Sequence, residues 1–187
     1  MEQDIKNALE VLRKGGIILY PTDTVWGIGC DATNEEAVKK IYSIKEREDN
    51  KSMLVLIDEA GRIPSYINLM PEIAWDLIEL SDKPITIIYP GAKNLAKNLI
   101  AAEGTIGIRV TNEAFSKKLI QRFKKPIVST SANISGKKSP SKFSEIDEII
   151  KNRVDYVVNF RQDDFQEYKP SSIIQLGVRG EIKIIRD

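Results

Sequence analysis

At 187 residues, 42% hydrophobic and 29% charged, the chain has the size and apolar content of one globular domain, and residues 1–187 read as a single unit. It contains no histidine, which removes Ser-His-Asp and Cys-His nucleophile systems and leaves zinc only one thiolate and carboxylates to bind. With Cys30 as the lone cysteine no internal disulfide can form, no apolar run approaches the roughly 18 residues of a membrane span, and the expected compartment is the cytoplasm, without membrane attachment.

Ile5, Ala8, Leu9 and Leu12 recur at helical spacing, and Gly15-Gly16 supplies a stop. "IILY" reads as a strand, and the turn "PTDTVW" separates it from Gly27 and Gly29. "TNEEAVKKIYSIKER" predicts a helix opened by a capping box between Thr33 and Glu36. "SMLVLI" is the next strand and "PEIAWDLIEL" a helix with Pro71 in its first turn. "PITIIYPG" and "TIGIRV" are β-rich and flank a helix expected over "AKNLAKNLI". A capped helix, "TNEAFSKKLIQRF", feeds the strand "PIVSTSA", followed by a polar loop and a short helix around "EIDEIIKN". "DYVVNF", "SSIIQL" and "EIKII" close the chain as strands without helices between them, which implies hairpins. The class is therefore α/β with a mixed sheet flanked by helices.

Four stretches carry candidate chemistry. The spacing G-x-G-x-x-A from Gly27 to Ala32 suggests a dinucleotide loop, but six residues intervene between the strand and Gly27, too many for the tight turn that fingerprint needs. The glycines read better as shaping a bend. Thr22, Asp23 and Thr24 follow a proline at a strand end, placed either to line a site or to bond their own backbone in a turn. Lys45 and Arg47 close the second helix, and a lysine with an arginine suits a polyphosphate as well as an ordinary cationic helix end. In "PIVSTSANISG", Ser129, Thr130, Ser131 and Asn133 crowd a strand end, a set costly to bury without partners. Residues 81–142 hold twelve Lys/Arg against three Asp/Glu, a cluster that suits either phosphates or a solvated face.

Taken together these stretches resemble the YrdC/Sua5 family of threonylcarbamoyl-AMP synthases over almost the whole chain. "YPTDTVWG" matches the family's Y/F-P-T-E-T-x-Y-G, and Lys45, Arg47, Ser131 and Asn133 match its K-x-R…S-x-N tetrad. "GIRV" with Arg109, Ser139-Pro140-Ser141 and "PSSI" from Pro170 match further family motifs. The chain departs from the pattern in having Asp23 for the usual glutamate and "KERED" for K-G-R-P. A sister branch resembling YciO lacks the S-x-N.

The resemblance implies a twisted mixed sheet with a large concave basic groove, in the short single-domain form. It implies a nucleotidyltransferase that joins L-threonine, bicarbonate and ATP into threonylcarbamoyl-AMP and pyrophosphate, with Mg²⁺ carried by ATP and no metal held by the protein. A transferase complex would then modify tRNA. By the same resemblance Lys45, Arg47, Ser131 and Asn133 are catalytic, and Thr22, Thr24, Arg109, Thr130 and Ser171 bind threonine. Lys45, Arg47, Lys51, Ser131, Asn133, Ser139 and Arg186 bind ATP. Any RNA binding is expected to be weak and electrostatic, since no base-reading signature occurs. The competing reading is an RNA-binding module of YrdC/YciO type without synthase activity.

Overall fold

The computed structural model describes residues 1–46 and 53–187. The strands are β1 (Ile18–Tyr20), β2 (Gly27–Gly29), β3 (Leu54–Ile57), β4 (Ile85–Tyr89), β5 (Ile106–Val110), β6 (Ile127–Ser131), β7 (Tyr156–Val157), β8 (Ser172–Leu176) and β9 (Ile182–Arg186). They join one twisted sheet in the order β7-β1-β2-β6-β3-β5-β4-β8-β9. β1 with β7, β3 with β5 and β4 with β8 are parallel, and the other neighbours are antiparallel, so the sheet is mixed as expected.

Helices α1 (Glu2–Arg13), α2 (Glu35–Lys45), α3 (Glu72–Glu79), α4 (Ala114–Phe123) and α5 (Glu148–Arg153) flank it. α1 buries Ile5, Ala8, Leu9 and Leu12, the four residues at helical spacing, and packs against α4. Gly15 then takes a left-handed φ of 71°, which ends the helix without steric cost.

Four local expectations are corrected. α2 is capped by Asn34, whose side chain accepts from the Ala37 amide, because the Thr33 hydroxyl is already used on Asp31 Oδ1 at 2.6 Å. "AKNLAKNLI" forms only a short 3₁₀ turn, Lys97–Leu99. Its amides are drawn to a neighbour instead of closing helical turns: Ala96 N donates to Ala32 O and Lys97 N to Glu35 Oε1. "DYVVNF" is not part of a closing hairpin, since β7 runs parallel to β1 at the far edge, with Val158 N donating to Leu19 O. Only β8 and β9 form the hairpin.

The fourth concerns the glycines, which lie within β2 and do not make a bend. Their role is close approach. Tyr20 is fully buried across β2, and its hydroxyl donates to Val128 O. A Cβ on Gly29 would sit 2.5 Å from Val128 O and 2.6 Å from the Tyr20 ring. Gly29→Ala should therefore cost about 1–3 kcal/mol of stability, read as a lower urea midpoint. Gly61→Ala, where an added Cβ meets nothing within 4 Å, is the control.

Candidate active site

Strand alternation sorts the polar residues onto one face of the sheet. β2 pairs Gly27 with Ser131, β3 pairs Leu54 with Ser129 and with Gly107, and Leu56 with Arg109. Ser129, Ser131, Gly107 and Arg109 thus share a face, while Val55, Val128 and Ile108 fill the other side and are buried. On the polar face a cavity of about 160 Å³ is lined by Thr24, Arg109, Thr130, Ser131, Ser139, Ser171 and Arg186. Seven residues assigned through the family resemblance therefore meet in one place. Thr130 pairs with Ile28, so its side chain alternates away from Ser129 and Ser131 although it contributes to the wall. Val25 and Ser129, which are not among the assigned site residues, also line the cavity.

The opening turn behaves in both of the ways its sequence allows. Thr22 Oγ1 lies 3.0 Å from Thr24 Oγ1, accepts from the Thr24 amide and donates to Val25 O, a self-bonded turn. It also accepts from Arg109 Nη2 at 3.4 Å, and Thr24 and Val25 face the cavity. Trp26 does not: it packs on Phe143 with ring centroids 4.8 Å apart. Across the cavity, Ser171 Oγ and Thr86 Oγ1 are 2.8 Å apart, and Arg186 donates twice to Ser171 O, at 2.9 and 2.6 Å.

Lys45 and Asn133 act on the frame of the cavity. Lys45 is 1% exposed, and its ammonium donates to Ser131 O at 2.5 Å and Asn133 O at 2.7 Å. Lys45 is thus not the exposed cation of an ordinary helix end, since its ammonium is buried against these two carbonyls. Asn133 Nδ2 donates to Ile134 O and Lys137 O, and Ser139 Oγ reaches Asn133 Oδ1 at 3.5 Å. Asn133 holds the loop that delivers Ser139. Arg47 and Lys51 lie outside the described residues.

Arg109 dominates the electrostatics. It is 3% exposed and pairs with Asp23 Oδ1 at 3.1 Å, while its Nε has no hydrogen-bond partner among the described residues. Burial holds the guanidinium below its usual pKa, with Asp23 opposing that effect. Burial also pushes the Asp23 carboxyl above the usual carboxylate range, with Arg109 pulling it back. A carboxyl raised on folding makes its ionised form the less favourable one, so stability falls as pH rises from the unfolded pKa through the folded one. Asp23→Asn should remove that fall. Urea midpoints measured across and just above the carboxylate range should slope less in the variant than in the wild type. Equal slopes would mean that Asp23 is not desolvated.

The family model of the Sua5, YciO and YrdC proteins, described as telomere recombination, matches residues 10–187. A threonylcarbamoyl-AMP synthase of Pseudoalteromonas translucida is 35% identical over 161 residues, 84% of this chain and 86% of that protein. The crystal structure of P. abyssi Sua5 complexed with L-threonine matches with a TM-score of 0.84 at 26% identity. The match covers 94% of this chain and 52% of that one, so this chain spans about half its length. E. coli YciO matches with a TM-score of 0.86 at 25% identity, over 100% of this chain and 90% of that one. With nearly every residue inside the family match, the chain belongs to the Sua5–YciO–YrdC family.

Proposed function

We propose that the chain is an L-threonylcarbamoyladenylate synthase, a nucleotidyltransferase serving threonylcarbamoyladenosine modification of tRNA. The observation that carries this reading is the cavity wall, which among the described residues holds Arg109, Arg186 and a run of hydroxyls but no carboxylate. Such a wall favours anions, and every reactant here is one or carries a carboxylate. In the proposed reaction the threonine amine and bicarbonate condense to a carbamate with loss of water. A carbamate oxygen then bonds to the α-phosphorus of ATP, the bond to the β-phosphate oxygen breaks, and pyrophosphate leaves. No histidine is needed, because the nucleophile comes with the substrate.

Arg109, Thr22, Thr24, Thr130 and Ser171 are assigned to threonine, and Ser131, Asn133, Ser139 and Arg186 to the nucleotide. Arg47 and Lys51 are assigned to the phosphates on the family resemblance alone, as is the direct part of Lys45. Fixed donors around the α-phosphate would offset charge developing there. Mg²⁺ would enter with ATP, held through phosphate and water oxygens. The partner that consumes the product is a carbamoyl transferase acting on tRNA.

Pyrophosphate release should require ATP, threonine and bicarbonate together, each omitted in turn. The second reading is an RNA-binding module without synthase activity, for which the twelve Lys/Arg against three Asp/Glu of residues 81–142 speak. Salt-sensitive RNA affinity with no pyrophosphate release would establish it and overturn ours. L-threonine should also outperform L-serine by roughly tenfold or more, since Thr24 and Val25 offer the substrate methyl an apolar contact. Equal turnover of the two would remove the amino acid from this end of the cavity.

A further inference from the structure

Arg161, in the loop between β7 and β8, is assigned no role by any motif, yet its backbone is left-handed, with φ of 69°. Glycine takes that conformation freely, whereas a long side chain there is uncommon and persists only when its surroundings demand it. Its side chain is 16% exposed and joins three separate segments. Nη1 donates to Thr22 O at 3.1 Å and lies 3.4 Å from Glu113 Oε1. Nε and Nη2 both donate to Asp164 Oδ2 at 3.1 Å, and the guanidinium stacks 4.7 Å over the Tyr168 ring. Glu113 in turn caps α4, accepting from the Ser116 amide at 2.7 Å.

We propose that Arg161 is a positioning residue that fixes the Thr22–Thr24 turn for the amino acid substrate. Each of the three segments it joins runs on along the chain into, or out of, residues that line the cavity. The Thr22 turn supplies Thr24 and Val25, the start of α4 follows β5 with Arg109, and the loop through Tyr168 leads into Pro170 and Ser171. A planar fork is required, because one group must serve a carbonyl and two carboxylates in different directions. Holding the Thr22 carbonyl sets where Thr22 Oγ1 meets Arg109, and so where the turn presents Thr24. The nucleotide residues Ser131 and Ser139 are not among Arg161's partners. The inference rests on the threonine reading above.

The test is Arg161→Gly beside Arg161→Lys. Glycine suits the left-handed backbone and removes only the clamp. Glu113, 7% exposed, loses its cation, so the melting temperature should fall, and the kinetic and exchange assays are run well below the variant's own midpoint. The variant's threonine KM should rise about fivefold or more, with the ATP KM within about twofold. Amide exchange over residues 21–26 should accelerate about tenfold or more, with α1 unchanged. Arg161→Lys should recover the exchange protection in part and the threonine KM less. Unchanged exchange at 21–26, or equal rises in both KM values, would overturn the proposal. A wild type without threonine-dependent pyrophosphate release would instead defeat the functional reading, and the exchange contrast would still decide whether Arg161 holds the turn.

Discussion

Lys45→Met should lower the melting temperature by about 5–15 °C and cut pyrophosphate release by roughly 100-fold or more. Lys45 is the last residue of α2 and is tied twice to the turn after β6. Its ammonium donates to Ser131 O and Asn133 O, and its own carbonyl accepts from the Ser135 amide at 2.8 Å. Methionine matches its length and apolar stem but carries no donor. Two part-buried carbonyls would lose the ammonium, at a cost of about 2–4 kcal/mol, because charged hydrogen bonds are strong and poorly solvated acceptors left unmet are penalised. Each kcal/mol shifts the melting point of a domain this size by roughly 2–4 °C. The activity falls for a linked reason: Ser131 and the loop carrying Ser139 are held where this ammonium holds their backbone. Thermal melts and steady-state turnover on the same samples decide it. Lost turnover with an unchanged melt would mean that Lys45 acts directly on the phosphates, as the family motif suggests.

Arg109→Met should abolish most threonine-dependent turnover, by roughly 10²–10³-fold, and also destabilise the fold by about 3–5 kcal/mol. The two losses have different origins and can be separated. Stability falls because Asp23, 14% exposed at the side chain, is left as an uncompensated carboxylate. Turnover falls because this buried guanidinium, its Nε unpaired among the described residues, lines the cavity. In the double variant Arg109→Met/Asp23→Asn, the charge imbalance is gone, so most of the stability should return while turnover should not. Arg109→Lys keeps the charge but loses the fork shared between Asp23 and Thr22, and should remain well below wild type. Recovery of turnover in the double variant would show that Arg109 serves only to neutralise Asp23.

The elements that were legible in the sequence are those whose signals are local. Ile5, Ala8, Leu9 and Leu12 repeat at helical spacing, and α1 buries that face. Pro71 precedes α3, and the β-rich runs became β3 to β6. These signals act between residues at most a few positions apart, so the chain's own order displays them. The motif residues Thr24, Arg109, Ser131, Ser139, Ser171 and Arg186 were legible through family resemblance, and the fold brings them to one cavity.

What only the tertiary structure decided is where polar groups and strand edges find partners far along the chain. Lys45 reaches a carbonyl 86 residues away, Arg109 a hydroxyl 87 away and Arg161 a carbonyl 139 away. No local pattern encodes such a pairing, so a lysine that reads as a surface cation became a buried brace. Gly29 reads as a bend because its spacing is visible and Tyr20 beneath it is not. "DYVVNF" reads as a hairpin strand because nothing near it announces that β1, at the other end of the chain, has an open parallel edge. A side chain's period and cap are set by its neighbours in sequence. The partner that satisfies a buried donor is set by which distant segments the sheet brings together, and that choice exists only in the folded chain.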